Sequence, residues 1–592
     1  MIPDPHPRPF ACAQGDTGRG PNGGGQISRW SRLLSDPWQQ ALAVSYALLI
    51  FFIVYPLSQL LVSSVRAEGG WTVTHFRDFF ALRYYRSALD HSLYVGAMVT
   101  LLATAIGVPL AAAVARWGVP GRALLRALIV LPLVSPPFIG AYSWILLLGR
   151  SGWVTKLLER MYVAVHPSAA GAVAGGGIPW IGTIYGSHGI ILALTLNLYP
   201  FVFLVVSSAI SSIDTSLEEA AQNLGSTPWR TFRTVTMPLL TPAILGGALL
   251  VFLTAVADFG SAVIIGEDYL VLPTLIYGLF VNEMGGQPAM AAAASMVLLA
   301  LTTAVLLLER WYVGRRPYAM SGLRRPRERR VPRGLRALAT AFTYGIVGLS
   351  LVPAVIVVMT SFFPSIGPMM HPGFSLDNYA TVFRTVPRAM FNSLYLSGIS
   401  TALCVLLGVV IGYLLVRRPN RLTAGLDAML MVPYAIPGTV LAVALISAFG
   451  RRPLLLTGTV AILVTSYVIR RLPYAVRGVV AVLHNIEPAT EEASLNLGAS
   501  PARTFRRVTL PLMMPGIISG AVMTWVQVIS EISSTILLYY GAWATMSVVI
   551  YQQVLSDNFG TAAAASTLLL AAVFVPLLAF NVWQGERAAE LV

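Results

Sequence analysis

The sequence predicts an all-α polytopic membrane protein of about 12 transmembrane helices, arranged as two parallel six-helix repeats. Three observations carry that prediction. Hydrophobic residues make up 56% of the 592-residue chain and charged residues only 11%, against about 25% charged in soluble domains. Apolar runs long enough to cross a bilayer, about 20 residues each, recur along the whole length. Landmarks of the first half also return in the second half in the same order.

Residues 1–35 open the chain as a tail rich in Pro and Gly, without an apolar periodicity or a signal-peptide core, and are expected to be disordered. The first half, 36–309, has apolar runs near 40–63, 92–115, 123–148, 188–210, 239–263 and 288–308. The second, 337–584, has them near 338–361, 391–416, 426–449, 457–476, 512–538 and 560–582. Arg470 and Arg471 fall inside the run near 457–476 and are expected to snorkel to the interface. Pro132, Pro136 and Pro137, and later Pro433 and Pro437, are expected to break the third and ninth spans, because proline removes a helix donor.

Charge sets the orientation. The net charge is +15, and Lys156 is the only lysine. The arginines cluster in short loops, most densely in the linker 310–336; from Glu309 to Arg336 there are ten Arg and two acids. Beside a membrane span such a run marks the cytoplasmic side rather than a nucleic-acid site. Six spans on either side then place both termini in the cytoplasm. The two cysteines, Cys12 and Cys404, form neither a disulfide framework nor a metal motif. His91, His188 and His371 are scattered and receive no ligand role.

The repeat has two registers. HSLYVG at 91 returns as NSLYLS at 392, and Pro132 and Pro136 return as Pro433 and Pro437, all at an offset of 301. Farther on, EEAAQNLGSTPWRTFRTVTMPL at 218 returns as EEASLNLGASPARTFRRVTLPL at 491, an offset of 273 with 15 of 22 letters identical. The first half therefore carries about 28 extra residues between Gly149 and Pro200, expected in an outer loop. An even number of spans separates the two copies of the polar passage, so both face one side, unlike the inverted repeats of many carriers.

Each copy reads as a helix, a glycine stop and a second helix. Asp214 or Thr215 begins the first, with Thr215 and Glu218 in capping-box spacing, and Gly225 ends it. Thr227 and Pro228 start the second, Phe232 gives it an apolar side, and Pro238 closes it before the next span. In the other copy Glu487 and Pro488 enter, Gly498 stops, Ser500 and Pro501 restart, and Pro511 closes. An interfacial loop accounts for the Arg and Phe. A docking elbow also accounts for the paired Glu and the doubled helix stops, and two parallel copies call for a dimeric partner.

Glu219-Ala220-Ala221, Gly225 and Val235-Thr236-Met237-Pro238, repeated as Glu492-Ala493-Ser494, Gly498 and Val508-Thr509-Leu510-Pro511, resemble the EAA motif of ABC importer permeases. The resemblance covers roughly 88–309 and 388–582 and implies the type I permease fold, within a bacterial inner membrane and its lipid. It implies that Glu218, Glu219, Ala220, Gly225, Pro228, Arg230, Phe232 and Pro238, and Glu491, Glu492, Ala493, Gly498, Pro501, Arg503, Phe505 and Pro511, couple the chain to a dimer of ATP-binding subunits. It further implies a periplasmic or lipid-anchored substrate-binding protein. A fused two-permease chain is most similar to the iron(III) importers, with relatives that move thiamine, phosphonates or polyamines.

The chain itself offers no enzyme site. Lys156 lies in SGWVTKLLER, outside any Gly-x4-Gly-Lys-[Ser/Thr] pattern. ATP and Mg are therefore expected on a separate ATPase chain, with no cofactor and no metal site here. Asp258, in AVADFGSAV, and Glu531, in VISEISSTI, correspond at an offset of 273, as do Ser261 and Ser534. Carboxylates inside spans are costly and point to function. Their oxygens suit iron(III) or a polyamine; alternatively, each acid caps a short helix after a break. Two other readings of the whole chain stay open: an ion-gradient-driven carrier, and a membrane scaffold that does not transport.

Overall fold

The computed structural model describes residues 37–67, 69–166, 184–281, 286–314, 331–366, 369–371 and 373–590. The expected disordered tail, most of the basic linker and part of the extra loop of the first half lie outside them. The described chain is almost wholly helical. In the first half come α1 (Pro37–Ser64), α2 (Arg83–Arg116), α3 (Arg122–Val134), α4 (Pro137–Leu148), α5 (Ser187–Ser212), α6 (Thr215–Asn223), α7 (Pro228–Val256), α8 (Gly260–Ile265), α9 (Leu272–Val281) and α10 (Pro288–Gly314). The second half repeats the series as α11 (Arg333–Ser361), α12 (Pro387–Arg417), α13 (Arg421–Ala435), α14 (Gly438–Phe449), α15 (Val460–Leu483), α16 (Pro488–Asn496), α17 (Pro501–Ile529), α18 (Thr535–Leu538), α19 (Met546–Leu555) and α20 (Phe559–Glu590). Adding ten to a label gives its counterpart. Even the small two-stranded hairpins after α1 (Arg66–Ala67 with Gly70–Trp71) and α11 (Ser365–Ile366 with Met369–Met370) correspond.

Among the described residues nine helices are long and apolar enough to cross a membrane, or 11 if each of two bent pairs counts as one span. The bends follow the proline clusters. The chain turns by 94° between α3 and the segment opening with α4, and by 108° between α13 and α14. At both sites a proline stands where a helix donor is needed, so the ladder stops there. The number of spans expected from the sequence, about 12, is not reached by length and apolarity alone, since α15 carries Arg470, Arg471 and Arg477. Two expected spans also end early: α7 stops at Val256 and α17 at Ile529, each followed by a short break and a new short helix.

The first helix of each half packs on the other half. Phe51, Phe52 and Tyr55 of α1 gather on Phe449 of α14, with ring centroids 5.6, 6.1 and 5.8 Å away. On the opposite side, Ser350 of α11 meets the buried Tyr199 hydroxyl of α5 at 3.2 Å. Small residues allow close approach elsewhere: Gly408 and Gly412 of α12 lie against α15, where a Cβ would fall 2.9 and 2.6 Å from Ala475 and Val479. The core is thus continuous across both halves, as burial of two exchanged helices requires.

The HSLY/NSLY repeat has a structural use. Ser92 accepts the backbone N–H of Leu272 at 2.7 Å, at the start of α9, and Ser393 accepts that of Met546 at 2.8 Å, at the start of α19. Helix N-termini leave donors unsatisfied, and a serine from a neighbouring helix meets one of them. The preceding residue ties the incoming loop: a His91 ring nitrogen lies 2.9 Å from the Leu270 carbonyl, and Asn392 donates to Ala542 and Ala544 carbonyls at 2.8 and 2.9 Å.

Candidate functional site: two elbows and a central cavity

The polar passage folds as the elbow expected, twice. In the first copy the Asp214 side chain accepts the Ser216 N–H at 2.9 Å and opens α6. The Glu218 carboxylate reaches beyond the elbow to Arg116 of α2. Gly225 ends α6 with φ +81°, and Gly498 ends α16 with φ +85°. The bonds Gly225 N–H to Gln222 O, Ser226 N–H to Ala221 O, Gly498 N–H to Leu495 O and Ala499 N–H to Ser494 O form the same glycine-terminated cap in both copies. Thr227 and Ser500 accept the N–H groups of Arg230 and Arg503 at 3.3 and 3.4 Å, and Pro228 and Pro501 follow them at the first helical turn.

The proline closure does not occur. α7 and α17 run uninterrupted through Pro238 and Pro511. Each instead has a π-helical turn just upstream, Phe232–Thr236 and Phe505–Thr509, across which Met237 and Leu510 donate to the carbonyls of Phe232 and Phe505. The wider turn shifts the hydrogen-bond register where proline supplies no donor, so the elbow's second limb is the start of the span itself.

The first glutamate of each pair turns inward. Glu218 is 8% exposed and accepts from Arg116, the last residue of α2, and from the Thr236 hydroxyl at 2.6 Å. Glu491 accepts from Arg417, the last residue of α12, at 2.8 Å and from the Tyr413 hydroxyl at 3.2 Å. These contacts fasten each elbow to its own half. Phe505 likewise packs inward, 5.1 Å from Tyr413 and 5.5 Å from Trp38. The outward groups are Glu219, Ala220, Pro228 and Arg230, and Glu492, Ala493, Pro501 and Arg503. Sequence reasoning missed the tips: Leu224 and Leu497, beside the glycines, are 89% and 90% exposed. A leucine next to each repeated glycine stop was the available signal.

Both elbows lie at one end of the bundle. The start of α11, at Pro332 and Leu335, borders the groove beside Trp229 and Phe232 of the first elbow. From there α11 runs to the far end, and α12 returns to finish at Arg417 against the second elbow.

Between the halves, four helix breaks converge on a cavity of about 180 Å³. Ser135–Pro136 and Ile436–Pro437 line it, as do Asp258 after α7 and Glu531 after α17. Each acid caps the short helix that follows: Asp258 accepts the Ser261 N–H at 2.8 Å and Glu531 accepts the Ser534 N–H at 3.2 Å. Both also face the cavity, so the capping and cavity-facing readings hold together. Ser261 and Ser534 are buried behind the wall and do not line it.

Arg470 and Arg471 do not snorkel. They line the same cavity, and both donate to Glu531, Arg470 at 2.6 Å. They sit mid-way along the 24-residue α15, about 15 Å of helix from either end, beyond the reach of an arginine side chain. A buried carboxylate shared by the two guanidiniums holds them there instead. Asn197 of α5 stands opposite in the repeat at Arg470's place, and it donates to the Pro132 and Ser135 carbonyls at 2.6 and 3.2 Å.

Comparison with known proteins agrees with this architecture. The model of the binding-protein-dependent transport system inner membrane component family matches residues 105–316 and again 404–587. The chain is similar to the ferric transport system permease protein FbpB of Actinobacillus pleuropneumoniae, 27% identical over 92% of this chain and 78% of the relative. It is also similar to a putative ferric transport system permease protein of Haemophilus influenzae, 28% identical over 83% of this chain and 76% of the relative. The molybdenum transport system permease protein ModB of Escherichia coli is 29% identical over 37% of this chain but 90% of its own length, the size of one half. Two family matches, a doubled helical series and spans enough for a multi-pass inner-membrane protein lead to one conclusion: this chain belongs to the binding-protein-dependent transport system inner membrane component family, as a fused pair of ABC importer permeases.

Proposed function

We propose that this chain forms the translocation path of an ATP-driven importer of iron(III), and that its two elbows dock two cytoplasmic ATP-binding subunits. The observation that carries the docking is the pair of outward leucine tips, Leu224 and Leu497, held on matching glycine-capped turns and braced by one buried and one partly buried ion pair. A rigid, repeated apolar tip suits a groove on each subunit of a symmetric partner. Both termini, the basic linker and the elbows face the cytoplasm in this reading, and a substrate-binding protein delivers cargo at the other end. ATP and Mg belong to the ATPase. The iron assignment draws on the relatives named for ferric transport.

The test is uptake of radiolabelled iron(III) into proteoliposomes holding this chain, its ATPase and its binding protein. Uptake should need ATP and stop when the ATPase's P-loop lysine is replaced. Uptake driven by an ion gradient without ATP would instead establish a carrier, and absence of uptake with intact assembly would leave a scaffold.

A further inference from the structure

The central cavity carries more positive donors than its fold needs. Asp258 and Glu531 occupy equivalent breaks and make the same bond to the N–H three residues on. Among the described residues Asp258 makes no ion pair, whereas Glu531 holds two arginines. Arginines are therefore not required to close that turn. The repeat does not impose them either, because Asn197 and Leu198 stand where Arg470 and Arg471 stand in the other half. Their presence calls for a different account.

Donor counting gives one. Two guanidiniums offer ten N–H groups, five each. A single oxygen of Glu531 receives one from each arginine, its other oxygen receives the Ser534 N–H, and Arg471 Nε is buried without an acceptor. Tyr434, Tyr474 and Gln527 line the cavity on the same side. The second-half wall is thus rich in donors. The facing wall offers Asp258 as its one carboxylate. Among the described residues no group of three or more His, Cys, Asp or Glu could hold a metal ion. A bare trivalent cation, which takes several oxygen ligands, would meet one carboxylate outside any ion pair and a second already shared by two guanidiniums. An oxyanion would meet planar guanidiniums whose geometry matches its oxygens.

Resting on the iron reading above, we propose that the cavity receives cargo through oxyanion oxygens bound by Arg470 and Arg471. The cargo is iron(III) carried in a compact anionic phosphate or carboxylate complex, its metal side turned to Asp258. The same donors would accept the free oxyanion, so the experiment separates the two sources.

Proteoliposomes holding the whole transporter are given labelled iron(III) with labelled phosphate or labelled citrate. Entry of iron and one anion in a fixed ratio supports the complex. Entry of the anion without iron supports the oxyanion site and overturns the iron reading alone. Entry of iron with neither anion, or of no label at all, overturns the inference. Arg471→Lys keeps the charge but loses the paired donors, and should cut anion-linked uptake about ten-fold or more. The triple change Arg470→Gln, Arg471→Leu, Glu531→Gln leaves no unpaired buried charge, so it should reach the membrane at normal level yet lose uptake. Wild-type uptake by that variant overturns the inference.

Discussion

Arg116 and Glu218 form an ion pair at 2.5 Å, with side chains only 9% and 10% exposed, that joins the end of α2 to the first helix of the elbow. Arg417 and Glu491 repeat it in the second half at 2.8 Å. The two pairs link the repeat's two registers, since the arginines correspond at an offset of 301 and the glutamates at 273. Through them, a force on an elbow reaches a helix that crosses the membrane.

Removing one partner of such a pair leaves a buried charge, which costs about 3–5 kcal/mol. Glu218→Ala should therefore lower the thermal midpoint of the purified chain and loosen its hold on the ATPase. Adding Arg116→Leu should restore much of both, because the coupled pair is non-additive. An unchanged midpoint in Glu218→Ala would show that the pair does not brace the elbow.

Leu224 and Leu497 are 89% and 90% exposed, so a polar residue at either position removes little burial. Leu224→Asp with Leu497→Asp should stay within about 0.5 kcal/mol of wild-type stability, as surface changes do. Co-purification with the ATPase should nonetheless be lost. Retained co-purification and retained substrate-stimulated ATP hydrolysis would remove the tips from the docking surface.

The glycine stops act through backbone shape. No atom lies within 4 Å of a Cβ built at Gly225 or Gly498, yet both have left-handed φ. A larger L residue there costs about 1–2 kcal/mol for each residue so held, so Gly225→Val with Gly498→Val should leave the chain inserted and weaken assembly. Asparagine, which tolerates that conformation, should be milder. Equal effects of Val and Asn on assembly would point to space instead of φ.

Sidedness is checked by chemistry from outside. Single cysteines at Asn223 and Asn496, both exposed on the elbows, are introduced with Cys12 and Cys404 replaced. They should resist an impermeant thiol reagent in intact cells with permeabilised outer membranes, and react after lysis. Labelling before lysis would reverse the orientation.

Much of this architecture was legible because it is written twice. The offset between copies exposed Gly225 and Gly498 as helix stops, and proline at 132, 136, 433 and 437 marked the bends. What escaped was set by partners distant in sequence. Glu218 reads as a surface acid until Arg116, 102 residues earlier, is placed beside it. Arg470 and Arg471 read as interfacial because hydropathy cannot see Glu531 about 60 residues on, at the end of another helix. Pro238 and Pro511 read as stops because local propensity does not include the π turn that absorbs a missing donor.

The two cavity acids should respond unequally to loss of charge. Asp258→Asn keeps an oxygen to accept the Ser261 N–H and leaves no cation unpaired, so the chain should insert normally and any loss should appear in uptake. Glu531→Gln also keeps an oxygen for Ser534, but it leaves Arg470 and Arg471 facing each other in the cavity wall. Breaking such a cluster costs about 3–5 kcal/mol, so this variant should show reduced membrane level and a lower midpoint. Replacing one arginine as well, Glu531→Gln with Arg471→Leu, lowers the repulsion and should recover part of the membrane level. Uptake normalised to membrane level then separates folding from transport. Equal midpoints for Asp258→Asn and Glu531→Gln would mean that the guanidinium pair does not depend on Glu531 for its place in the fold.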